Sequence, residues 1–323
     1  MIQRLPVAFR LRFRIENKIL RNVIPAAYNA HSGSSGSKID LTKLLTMKKL
    51  LVAFDGLNYS PSLTKYAIEM GKESDSLVVG VFLYDLRYTN LIFTYAYEIP
   101  ATLAYSVDKI ERDDEKKIRA SIKAFTADCE KAGISCKVHL DSGVPLMELL
   151  KESAFADMIL VDATTSFFDF GEETPSAFLK DLLAESKCPV MIVPTRAEEI
   201  KNVIISYDGT ESSVYAMKMF SYLFPEWNNK NTTVVSVNKG SSNHLPESRN
   251  VKDLAARHFK NLNFEILNGD VADVLPKFLK KNKTNSVVVM GAYGRSALSR
   301  IIHSSMSNKV IKELKMPVFI THQ

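Results

Sequence analysis

Near its C-terminus the chain carries an apolar run, Val287 to Met290, that ends at Gly291. Gly294 follows three residues later, and Ser304-Ser305 come after a stretch of helical character. A turn that leaves a buried strand and enters a helix aims unpaired N–H groups at one point, and the helix dipole adds partial positive charge there. Such a turn suits phosphate. Glycines at 291 and 294 let the backbone approach an anion closely and take up positive φ. Arg295 can add charge-assisted hydrogen bonds, and Ser304 and Ser305 can donate hydroxyl and main-chain protons. The expected chemistry is non-covalent capture of a phosphorylated ligand. No lysine occupies a Walker position, and no acidic pair or water-positioning base stands out, so turnover is expected to be slow or absent. His303 lies beside serines, but spacing alone orients no base, and a helix-surface histidine is the expectation.

These residues need a scaffold, and the chain supplies it twice. Lys48-Lys-Leu-Leu-Val-Ala-Phe-Asp-Gly56 returns as Lys201-Asn-Val-Ile-Ile-Ser-Tyr-Asp-Gly209. Each run leads into a helical pattern, with Ser60 and Ser213 at matching offsets as candidate helix caps. The strands at Ser76 to Tyr84 and Thr232 to Asn238 correspond, as do Met158 to Ala163 and Ser286 to Ala292. The final strands, Lys187 to Pro194 and Lys315 to His322, correspond as well. This is a tandem duplication joined near Thr195 to Glu199. Short apolar runs alternating with amphipathic helices predict an α/β fold: in each copy a doubly wound, Rossmann-like three-layer sandwich around a parallel sheet. Ligands of such sheets lie beyond the carboxyl ends of the strands, where the strand order reverses. Asp208-Gly209 and the Gly291 loop are both expected there.

The two copies differ at that place. After the fourth strand of the first copy the sequence is Asp162-Ala-Thr-Thr-Ser-Phe-Phe-Asp-Phe170, so both glycines are gone and a carboxylate stands at the first position. Asp55, Gly56 and Gly143-Val144 remain. One phosphorylated ligand per chain, in the second copy, is the expectation.

The paired Asp-Gly runs, the closing Cys/Met-Pro-Val strands and Gly291-Ala-Tyr-Gly294, nine residues, then Ser304-Ser305 resemble the universal stress protein family in its tandem two-domain form. The resemblance covers nearly all of residues 48–323. Members that bind nucleotides carry glycine where this chain has Ser304. The resemblance implies five-stranded parallel sheets of the adenine nucleotide alpha hydrolase type, paired through their last strands. It implies ATP as ligand, with magnesium as an optional companion. Asp208 and Gly209 would meet the adenine or ribose end, Val235 would lie against the base, and Gly269, Asp270 and Val271 would border base or ribose. Gly291, Gly294, Arg295, Ser304 and Ser305 would hold the phosphates.

Composition bounds the alternatives. The chain has 323 residues and formal net charge +6. Residues 1–46 hold eight basic and two acidic side chains and so account for the whole excess; the remainder balances at 34 of each sign. A neutral body lacks the electrostatic footprint of nucleic-acid binding. No uncharged apolar stretch is long enough to span a membrane. Three scattered cysteines suit a reducing compartment, with the cytoplasm as the expected location, and form no zinc pattern. The Arg-rich leader 1–46 reads as a transit peptide, a membrane-surface helix or a non-native extension, the last being favoured because Met47 runs straight into a strand. The expected domains are 47–195, degenerate, and 200–323, with the phosphate loop.

Three functional classes follow. The first is a nucleotide-binding regulatory module, at most a weak ATPase. The second is a nucleotide-free structural or protein-interaction module with an unidentified protein partner. The third, an adenylating enzyme, lacks the expected loop after the first strand. Tyr88, Phe93, Tyr95, Tyr97 and Tyr105 are candidates for a partner surface or for cover of the chain's own sheet. A long helix is expected from about Ser106, and Trp227 in a loop before the second strand of the second copy. The closing strands should join the copies as an intrachain pseudo-dimer, with homodimerisation open as a further step.

Overall fold

The computed structural model describes residues 47–85, 101–166, 176–240, 243–291 and 316–321, with backbone only at 84–85, 101–111 and 141–143. The leader, the aromatic segment before residue 101 and the stretch 292–315 lie outside the described residues. In the first half the elements are β1 (Lys49–Asp55), α1 (Pro61–Ser74), β2 (Leu77–Asp85), α2 (Ala101–Ala132), β3 (Cys136–Gly143), α3 (Pro145–Ser153), β4 (Met158–Asp162), α4 (Ala177–Glu185) and β5 (Val190–Val193). The second half has β6 (Asn202–Ser206), α5 (Glu211–Leu223), β7 (Asn231–Asn238), α6 (Ser248–His258), β8 (Asn261–Asn268), α7 (Val271–Lys281), β9 (Ser286–Gly291) and β10 (Val318–Thr321). The long helix begins at Ala101, earlier than the sequence pattern indicates.

Among the described residues the ten strands form one sheet in the order β3-β2-β1-β4-β5-β10-β9-β6-β7-β8. Every pairing is parallel except the central one, where β5 and β10 run antiparallel with Val318 opposite Ile192 and Phe319 opposite Met191. The expected pairing through the last strands is therefore present, and it makes one continuous sheet out of the two halves. Joining these short strands covers two edges that would otherwise be open to other chains.

Burial follows position in the sheet. Central strands β4 and β5 are buried along their whole length, as a parallel strand covered on both faces must be. Edge strand β8 alternates exposed and half-buried positions. Two apolar layers sandwich the sheet. One contains Leu63 and Met70 of α1, Phe125 of α2, Phe220 of α5 and Val251 of α6. The other contains Leu149 of α3, Leu182 of α4 and Leu279 of α7. Both layers run across the β5–β10 seam. Met47 is itself buried in the first layer, and its carbonyl accepts the Ser76 hydroxyl proton at 2.9 Å.

Trp227 sits in a 3-10 turn, Pro225–Asn229, rather than an open loop. Its ring stacks on Phe224 at 4.5 Å. Its Nε1–H donates to Glu73 Oε2 of α1 at 2.6 Å, so a side chain of the second half is tied to a helix of the first. Burial raises the Glu73 pKa above the usual carboxylate range, while the Trp227 hydrogen bond and the Lys230 charge oppose the rise.

Candidate functional site

In each half the strand order reverses beside the first strand: between β1 and β4, and between β6 and β9. The residues at the carboxyl ends of those four strands occupy the crevices where doubly wound sheets bind ligands. In the second half they are Asp208 and Gly291. In the first half they are Asp55 and Asp162. Matching registers make the equivalence firm: Val52 pairs with Leu160, and Ile205 pairs with Val289.

Asp208 follows β6. Its Oδ1 accepts from the Thr210 N–H at 3.0 Å and the Thr210 hydroxyl at 2.6 Å, closing a tight turn before α5. Gly209, inside that turn, has φ +83, and a Cβ there would lie 2.7 Å from Pro246 Cβ. Glycine is demanded twice, by backbone and by contact. Thr210 is the cap of α5, accepting from the Ser213 N–H at 3.3 Å. The expectation of Ser213 as cap is corrected, because the helix begins sooner after Asp208 than α1 does after Asp55. Ser213 instead returns its hydroxyl proton to the Thr210 carbonyl at 2.8 Å. Ser60 caps α1 as expected.

Gly291 ends β9, and packing by itself requires a glycine there. Its φ is not among the positive values. A Cβ on it would lie 2.5 Å from the backbone carbonyl carbon and oxygen of Ser212. The first turn of α5 presses on the strand at this point. The glycine therefore lets α5 approach the sheet, which brings the Asp208–Thr210 turn and the strand end together. Gly294, Arg295, Ser304 and Ser305, expected to complete the phosphate cradle, lie outside the described residues, as does His303.

The remaining expected residues surround the same sheet end. Val235 is buried in β7, its carbonyl accepting the Tyr207 N–H at 2.9 Å, and its side chain joins the apolar layer with Leu275, Leu279 and Met290. Val237, two residues nearer the carboxyl end and on the same face, is half-buried. Gly269 has φ +135 and donates its N–H to the Asn238 carbonyl at 2.9 Å. Asp270 caps α7 through Oδ1 and the Ala272 N–H at 2.8 Å, and Val271 opens that helix. Both α5 and α7 thus begin at this end of the sheet under an acidic turn.

Sequence reading missed the segment that borders this end from the side. Pro246 packs on Gly209, its carbonyl accepts the Tyr207 hydroxyl proton at 3.1 Å, and Asn238 Nδ2 donates to the His244 carbonyl at 2.7 Å. Burial, with the Glu247 and Asp208 charges, raises the Tyr207 pKa and keeps it a hydrogen-bond donor. The signal was slight: a Leu-Pro pair within a polar stretch.

The first half fills its crevice with its own groups. Asp162 is only 6% exposed. It accepts from the Ser60 hydroxyl at 2.7 Å, the Thr164 N–H at 2.8 Å and the Thr164 hydroxyl at 2.7 Å. Asp55 accepts from the Leu57 N–H at 3.0 Å and Asn58 Nδ2 at 2.6 Å. Two carboxylates face the reversal point, where phosphate would need donors. Asp162→Ala would strand the Ser60 and Thr164 donors and is expected to cost about 1–3 kcal/mol. Urea denaturation measures this, and an unchanged midpoint would show that the network carries no stability. Among the described residues no group of three or more metal-ligating side chains occurs. No helix among them is long and apolar enough to cross a membrane.

Comparison with known proteins locates the chain. The model of the universal stress protein family matches residues 226–322. A universal stress protein of Synechocystis sp. is 21% identical over 288 residues, which is 84% of this chain and 99% of that protein. A universal stress protein structure from Archaeoglobus fulgidus superposes with TM-score 0.62 at 16% identity, covering 86% of this chain and 97% of that one. A putative universal stress protein from Pseudomonas aeruginosa superposes with TM-score 0.54 at 13% identity, covering 86% and 94%. The resemblance read from the sequence is thus met again by the family model, by a full-length relative and by solved folds.

Proposed function

We propose that this chain is a tandem universal stress module, with units at 47–195 and 200–323, that binds one adenine nucleotide in its second unit. ATP is the proposed ligand, with magnesium optional, and the bound nucleotide sets the surface offered to a protein partner, with little or no hydrolysis. The observation that carries this reading is the contrast at the two strand-order reversals. One holds Asp162 locked to Ser60 and Thr164. The other holds Gly291 without a side chain, beside the start of α5 and ahead of Gly294, Arg295 and Ser304-Ser305.

In this reading Asp208 Oδ1 orders the Thr210 turn, and the carboxylate's other oxygen is the group proposed to meet a ribose hydroxyl, as acidic residues do in dinucleotide sites. Gly269, Asp270 and Val271 border the ribose or base from the far side, and the half-buried Val237 joins Val235 as a candidate base contact. Backbone N–H groups following Gly291, with Arg295, Ser304 and Ser305, take the phosphates. Pro246 and its neighbours border the site beside Gly209.

Purified protein, denatured and resolved by ion exchange, is expected to release close to one adenine nucleotide per chain. Gly294→Asp places a negative charge at the proposed phosphate position and is expected to abolish that yield while leaving the denaturation midpoint near wild type. Wild-type protein that is empty, and that also fails to take up added ATP, would overturn the reading. A second reading then stands, a nucleotide-free interaction module. It has its own support: the Ser212 contact demands glycine at 291 whatever the loop binds.

A further inference from the structure

Cys129 and Cys136 flank the turn that joins α2 to β3. Cys129 lies in the last turn of α2, fully buried, and Cys136 is the first residue of β3, half-buried. The turn between them is tight. The Ile134 N–H donates to the Cys129 carbonyl at 3.2 Å, the Gly133 N–H donates to the Glu130 carbonyl at 3.0 Å, and Gly133 has φ +68. Cys129 belongs to the apolar layer that also holds Phe125, and Cys136 packs against that layer. The two thiols lie close enough there to act on one another electrostatically. The remaining cysteine, Cys188, is buried in the opposite layer across the sheet.

We propose that Cys129 and Cys136 form a reversible intramolecular disulfide when the protein meets a hydroperoxide. The geometry assigns the order of events. Cys136 is the more exposed of the two residues, so it meets the peroxide first, and its thiolate attacks one peroxide oxygen. The O–O bond breaks, water leaves after protonation, and Cys136 becomes a sulfenic acid. Cys129 then attacks the Cys136 sulfur. The S–S bond forms, the S–O bond breaks, and the Cys129 proton leaves with the departing oxygen as a second water. Two thiols lose two electrons and two protons, and one hydrogen peroxide becomes two waters. Burial pushes the Cys129 thiol up to about 12, followed in effect by its contacts with Cys136. Cys129 is therefore the poorer first nucleophile and acts second, losing its proton to the departing oxygen as it attacks. A dithiol reductant restores both thiols.

Oxidation would pin the end of α2 to edge strand β3. It needs little rearrangement, because the two residues are already held by one turn and share one packing layer. The inference is independent of nucleotide binding, since it involves the first half and no residue of the proposed site.

The test treats the intact chain with a small molar excess of hydrogen peroxide, blocks free thiols, denatures and digests with trypsin. The peptides 124–131 and 132–137 are expected to appear joined, two mass units below their sum, and to separate on reduction. Titratable thiols in denaturant should fall from three to one, the survivor being Cys188. Cys136→Ser should leave Cys129 as a free thiol after the same treatment, and Cys188→Ser should still form the link. Three surviving thiols would overturn the proposal. So would Cys136 oxidised to sulfinic acid with Cys129 free, or a link between chains instead of within one.

Discussion

Gly291→Val will destabilise the protein by about 3 kcal/mol, and Gly291→Ala by about 1–3 kcal/mol. The reason is the 2.5 Å separation between the Cβ position and the Ser212 carbonyl group. Backbone atoms cannot rotate out of the way, so either α5 lifts from β9 or β9 leaves its register. Either shift moves the Asp208–Thr210 turn, so nucleotide yield should fall together with stability. Chemical denaturation of the two variants beside Gly294→Asp separates two roles for glycine in one loop. Position 291 is expected to fail by packing, and position 294 by charge at the proposed phosphate site. A Gly291→Ala variant as stable as wild type would mean that α5 does not approach β9 as closely as described.

Phe319→Ala will cost about 3–5 kcal/mol, the range for emptying a buried aromatic site. Phe319 is fully buried in β10 and meets the edges of the Phe220 ring at 5.3 Å and the Phe224 ring at 6.0 Å. It also stands opposite Met191 of β5 across the antiparallel pairing. A cavity here opens at the seam, where both halves share apolar layers. The loss is therefore expected in both halves at once. Fluorescence of Trp227, the sole tryptophan, reports the seam through its hydrogen bond to Glu73, and far-ultraviolet circular dichroism reports all elements. Their transitions should shift together. Fluorescence moving while half of the dichroism stays at the wild-type midpoint would show that the halves unfold independently.

The site was partly legible from residue types. Asp208-Gly209 was found by repetition, Gly291 by the habit of glycine at strand-to-helix turns and Gly269-Asp270 through the family resemblance, and each stands at the carboxyl end of the second-half sheet. The reason for each glycine was less legible. Gly209 needs its positive φ, as turn chemistry implies, but also faces Pro246, some 37 residues away in the chain. Gly291 looked like a phosphate residue, and the structure gives it a packing role against Ser212 of α5. Ser213 looked like a cap because its offset from Asp208 matches that of Ser60 from Asp55. Only the actual start of α5 gives that role to Thr210.

The sequence by itself determined the duplication, the α/β class, the strand and helix order and the asymmetry between Asp162 and Gly291. These are local properties: apolar runs of strand length, helical periodicity, and a side chain either present or absent at a turn. What the tertiary structure decided depends on approach between distant segments. It joined β5 to β10 in a single ten-stranded sheet, tied Trp227 to Glu73 across the seam, set α5 against β9 at Gly291 and locked Asp162 to Ser60. It also brought Cys129 and Cys136 to one apolar layer across a single turn. Local pattern records which face of an element is apolar. It does not record how closely two faces pack or which polar groups meet when they do, because that distance is set by the close packing of the whole core.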